Sequence, residues 1–193
     1  MDEEAYMELT RRCEALYDRI VRDEEEARST SIHSLFANAV NDFVVFLDGP
    51  NMTDDKKMYV ETLLNKLTPI AMYGERLHRE LLVIGDSDEQ MNADVFDVSI
   101  EKARSIEENV NAYLSEFIEK SYNDDYPFNG NPKFLGMDLS EFYCDVVPGL
   151  RCWQLGTAAG MTASSNWNIM PWHWTCHLFR AMFSLNALKH LDV

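Results

Sequence analysis

Apolar residues return every three or four positions along almost the whole chain, and nowhere do they alternate with polar ones long enough to build a sheet. That spacing is the period of one helix face, so the sequence predicts an all-α protein, a bundle of about six or seven helices. The first stripe is narrow: Tyr6, Leu9, Cys13, Leu16 and Ile20. In the second, opened by Ser31 as a cap, Leu35, Phe36, Ala39, Val40, Phe43, Phe46 and Leu47 cover a face broad enough for a central helix. A third helix is expected from Thr53 to Leu67, stopping before Pro69. A fourth would open at Pro69 and end at Gly85, and a fifth would run from Asp94 to Ser121 through Phe96, Ile100, Ala103, Ile106, Val110, Tyr113 and Phe117. The last two are expected from Ser140 to Ala163, broken at Pro148-Gly149, and from Pro171 to His190.

The charge divides the chain. Residues 1–125 hold 29 acidic against 13 basic side chains, while residues 126–193 hold four of each and all four tryptophans. The changeover falls at Asn123-Asp124-Asp125-Tyr126-Pro127-Phe128-Asn129-Gly130, a run of turn formers. The expected organisation is therefore an acidic helical bundle over 1–125, with a neutral, Trp-rich helical part over 126–193 packed on it. A net charge of −16 argues against nucleic acid and anionic membrane, whose phosphates ask for clustered Lys and Arg. It suits a protein partner instead. The longest stretch free of Asp, Glu, Lys and Arg, Cys152 to Phe179, is too rich in Asn, Ser, Thr and His to enter a membrane. Four scattered cysteines without a C-x-x-C pair, behind an acidic start, point to the cytoplasm.

The most specific local pattern is the apolar helix that ends Phe46-Leu47-Asp48-Gly49, then Pro50-Asn51-Met52, then Thr53-Asp54-Asp55. This segment resembles the TerB-like (tellurite-resistance) helical family. That family carries an apolar helix ending Ala-Asp-Gly, two or three residues, an aliphatic, Ser or Thr, and acidic residues. Asp48, Gly49, Met52, Thr53, Asp54 and Asp55 match position by position; Leu47 stands where Ala is usual, and Pro50 is unusual. The resemblance spans residues 34–67. It implies an all-α, cytoplasmic, non-enzymatic protein acting through protein–protein interaction in a stress-related pathway, with Ca²⁺ or Mg²⁺ held by Asp48, Asp54 and Asp55. Helix capping asks for the same residues: Gly49 to end one helix, Thr53 to start the next, and Asp54 and Asp55 at the positive end of its dipole.

Two further clusters can be read as metal ligands. Asp86, Asp88, Gln90, Asp94 and Asp97 fall at positions 1, 3, 5, 9 and 12 of an EF-hand-like loop. Met91 replaces the Gly of its sharp turn and Asp97 the bidentate Glu, which leaves Asp86, Asp88 and Asp94 as a weak site or a solvated loop. His173 and His177 stand one turn apart on a helix, and Cys144 or Cys152 could join them on Zn²⁺. No Glu lies between the two histidines to act as a metalloprotease base. The other reading is a helix whose histidines hydrogen-bond beside a Trp-rich interface. Trp167, Trp172 and Trp174 suit a ligand pocket, a partner surface or the core. The function classes that follow are a cation-responsive interaction protein, an acidic protein that meets a basic partner without metal, and a ligand-binding module or enzyme with a Trp-rich pocket.

Overall fold

The computed structural model describes residues 31–49, 55–77, 96–121, 131–157, 160 and 171–191. Within them every regular element is helical. They are α1 (Ile32–Asp48), α2 (Lys56–Leu77), α3 (Ile100–Tyr113), α4 (Ser115–Ser121), a 3₁₀ turn at Pro132–Phe134, α5 (Leu135–Gln154) and α6 (Pro171–Lys189). The expected helix over 6–20, the Asp86–Asp94 loop, Thr53, Asp54, Gly85 and Trp167 lie outside the described residues.

Helix α1 forms as its sequence dictates. Ser31 Oγ accepts the Ser34 N–H at 3.1 Å, satisfying one of the donors that a helix start leaves open. Phe36, Val40 and Phe43 are wholly buried, while Leu35, Phe46 and Leu47 pack at the edge. Gly49 closes the helix in extended geometry (φ −86°), its N–H bound to Val45 O, and not in the left-handed conformation common for glycine at a helix end.

Four expectations about helix ends need correction. Helix α2 does not stop before Pro69 but runs through it to Leu77, so the expected third and fourth helices are one. Proline removes one backbone hydrogen bond and crowds the preceding turn, about 3 kcal/mol in all, but the stripe Leu63, Leu67, Ile70, Leu77 stays buried on both sides of it. Cap duty at the start of α2 falls to Asp55, whose Oδ1 accepts the Met58 N–H at 2.9 Å. Helix α3 starts at Ile100 and not near Asp94, because Ser99 caps it by accepting the Lys102 N–H. Ile100 is consequently outside the core, 73% exposed. Helix α5 passes unbroken through Pro148-Gly149 and ends at Gln154, where Gly156 turns left-handed (φ 68°), well short of Ala163.

The core is one cluster drawn from both parts of the chain. Helix α5 lies between α3 and α6 and touches α1, while α2 packs on α1 and α6. Trp174 is the keystone on α6: it is 2% exposed, and its ring lies against Phe36 and Phe142. Its indole reaches so far over Gly74 of α2 that a Cβ there would stand 2.3 Å from Cη2, so only glycine admits this approach. At the crossing of α3 and α5, Gly136 plays the same part, and its N–H donates to Asn111 Oδ1.

Candidate functional site

Two polar clusters stand on this frame. The first is at the C-terminal end of α1, where the helix dipole is negative and a carboxylate is disfavoured. Asp48 sits there and is held from two sides. Lys102 of α3 forms an ion pair with its Oδ1 at 2.6 Å, and the Tyr143 hydroxyl of α5 donates to both oxygens at 3.1 and 3.0 Å. The Lys102 ammonium also lies 5.8 Å from the centre of the Tyr143 ring. Burial, and next the Asp48 charge beside it, push the Tyr143 phenol well above its ordinary range. Asp48 thus joins three helices through one carboxylate that is still 40% exposed. Of its expected co-ligands, Asp54 is not described and Asp55 caps α2.

The second cluster lies on the seam of α5 and α6. Asp138, Glu141 and Asp145 recur at steps of three and four, on one face of α5, opposite His173, His177 and Arg180 of α6. His173 Nδ1 is 3.0 Å from Asp145 Oδ2. His177 Nδ1 is 2.9 Å from Glu141 Oε2 and 3.3 Å from Asp138 Oδ1. The two imidazoles meet edge to face with centroids 5.2 Å apart. Asp138 is 2% exposed, and Arg180 stands 4.0 Å from it. Burial pushes the carboxyls of Asp138 and Asp145 upward, against the opposing pull of His177 and His173 respectively. One ligand atom from each of Asp145, His173 and His177 lies within 4.8 Å of the others.

The pairing of His173 with His177 was legible, but its expected thiolate partner was not. Asp145 stands beside the histidines, whereas Cys152 is buried two helical turns further along α5. Burial raises the Cys144 and Cys152 thiols, which makes them poor nucleophiles. The carboxylates had a signal of their own: three of the four acidic residues of 126–193 share one helical face. Lys102 and Tyr143 had none, because their meeting at Asp48 is purely tertiary. Trp174 belongs to the core and not to a ligand surface. A cavity of about 290 Å³ opens beside the seam; among the described residues it is lined by Asn131, Phe134, Met137, Asp138 and Arg180.

Among the described helices none is long and apolar enough to cross a membrane. Fold and clusters together define an all-α bundle with a charged corner and a histidine–carboxylate seam. Comparison with family models, with curated proteins and with solved structures finds no match to this chain.

Proposed function

We propose that this chain is a non-enzymatic, TerB-like helical protein that acts by binding another protein and whose Asp48 corner responds to Ca²⁺ or Mg²⁺. The observation that carries the reading is the Asp48 carboxylate, partly exposed and already holding one exchangeable cation, the Lys102 ammonium, where α1, α3 and α5 meet. Hard divalent ions seek carboxylate and other oxygen donors. An ion that displaces Lys102 frees α3 from α1 and so changes the surface offered to a partner. The acidic balance of the chain and the exposed rings of Phe179 and Phe183, one turn apart on α6, support a partner-binding role.

Thermal melts after EDTA treatment, with Ca²⁺ or Mg²⁺ added singly at constant ionic strength, test this. An ion at 100 times its Kd adds about 2.7 kcal/mol, a rise of several degrees. Asp48→Asn should abolish the rise, and Lys102→Met should enlarge it at the same ion concentration by removing the competitor. No rise in the wild type, or one that survives Asp48→Asn, rejects the site. A second reading, a small-ligand-binding module, is favoured by the cavity over Asp138 and Arg180, and a bound small molecule in native mass spectra would turn the argument to it.

A further inference from the structure

A second ion site, independent of Asp48 and of a different chemical class, follows from the α5–α6 seam. We propose that His173, His177 and Asp145 bind one borderline transition-metal ion of the Zn²⁺ class, with Glu141 as the fourth protein ligand.

The donor set decides the class. Two imidazoles and a carboxylate suit Zn²⁺ and its first-row neighbours, whereas Ca²⁺ and Mg²⁺ bind through oxygen. The geometry is close to what such an ion needs. Ligand atoms about 2.0–2.2 Å from a tetrahedral Zn²⁺ are spaced by about 3.3–3.6 Å. Those of Asp145, His173 and His177 already lie within 4.8 Å of one another, a gap that small rotamer adjustments close. The ligands come from two helices held in register by the core, with Trp174 buried between the two histidines in sequence. That backbone is fixed before any ion arrives. Glu141 Oε2 is 2.9 Å from His177 Nδ1, and the residue is about half exposed, free to turn onto the ion.

An outer shell is present as well. Asp138, 3% exposed at its side chain, reaches the same Nδ1 of His177 at 3.3 Å; with Nε2 on the ion and Glu141 turned away onto it, Asp138 accepts the Nδ1–H, the relation by which a carboxylate orients a metal-bound imidazole. The His173 side chain is 43% exposed and leaves a route from solvent. Without an ion, the same side chains satisfy each other as histidine–carboxylate pairs, so the seam is stable in both states.

The test is titration of EDTA-treated protein with Zn²⁺ by calorimetry, and with Co²⁺ by visible absorption, whose ligand-field bands report a tetrahedral nitrogen–oxygen site. One ion per chain is expected. His173→Gln and Asp145→Asn alter partly exposed side chains, and their folding can be checked by circular dichroism. Each should weaken Zn²⁺ binding by more than about 100-fold, beyond the 10–100-fold typical of an outer-shell change. Asp138→Asn should fall inside that smaller range. Cys176→Ser, which removes an exposed thiol on α6, should bind Zn²⁺ as the wild type does. Asp48→Asn should also leave Zn²⁺ binding intact, so this site and the Asp48 corner stand or fall separately. Absence of saturable Zn²⁺ binding overturns the proposal, as does binding that survives His173→Gln and Asp145→Asn or is lost with Cys176→Ser.

Discussion

Tyr59 is held between two aromatic rings, with the Phe46 centroid at 5.2 Å and that of Tyr113 at 4.9 Å. Its burial, and next the charge that Tyr113 would carry, push the phenol from its ordinary 10.0 up to about 12. The sign of the consequence is fixed by linkage. Above pH 10 the unfolded chain gives up this proton while the folded chain keeps it, so the stability present below pH 10 drains away as pH rises to about 12. Tyr143 is pushed in the same direction and adds to the loss. Melting temperature measured from about pH 8 to about pH 12 should therefore fall less steeply for Tyr59→Phe than for the wild type. Parallel curves would refute a buried phenol at this position. Single residues also show where sequence reading stops. His173 and His177 declare themselves by spacing within one helix, but the close approach that makes Gly74 irreplaceable beneath Trp174 joins residues 100 apart in the chain and leaves no local trace.

Helices as units were the most legible level, and their ends the least. The bounds expected for α1 and α6 hold nearly to the residue; in α1 a wide buried face and a good cap agree. Pro69 and Pro148 misled for one shared reason. A proline's local penalty is fixed, whereas what opposes it, the apolar face buried before and after it, depends on packing that local rules do not contain. Capping shows the same competition on a smaller scale, since Thr53, Asp54 and Asp55 are all acceptable at a helix start and tertiary context selects the one used. Because Asp55 makes the bond to the Met58 N–H, Asp55→Ala should cost about 1 kcal/mol in denaturant unfolding. Asp55→Asn, which keeps an acceptor, should cost little. Equal losses in the two variants would mean that charge, and not the hydrogen bond, is what α2 requires.

At the scale of the whole molecule the dominant fact is an excess of 16 negative charges on a chain of 193 residues. Apart from the pairs at Asp48 and along the α5–α6 seam, the attractive pairs that cross between described helices are few and wet. Lys56 reaches Glu116 at 2.5 Å, Lys66 reaches Asp42 at 3.5 Å and Lys189 reaches Glu61 at 3.6 Å, each with at least one partner largely open to solvent. Such pairs contribute about 0.2–1 kcal/mol each, and salt weakens them. Self-repulsion acts over the whole surface, and salt weakens that too, so the sign of the salt response shows which is larger. With acids outnumbering bases about two to one, repulsion should win. Raising NaCl from about 0.01 M, where charges are felt over about 30 Å, to about 0.15 M, where the range is about 8 Å, should raise the melting temperature. A rise of about 2–4 °C corresponds to about 1 kcal/mol for a chain of this size. The same measurement sets the floor for both proposed ion sites: a divalent cation would act at Asp48 or at the His173–Asp145 seam only to the extent that its effect exceeds that of NaCl at equal ionic strength. A melting temperature that falls with salt would mean that the ion pairs between helices outweigh the repulsion, and that the acidic surface is already neutralised within the fold and not held open for a basic partner.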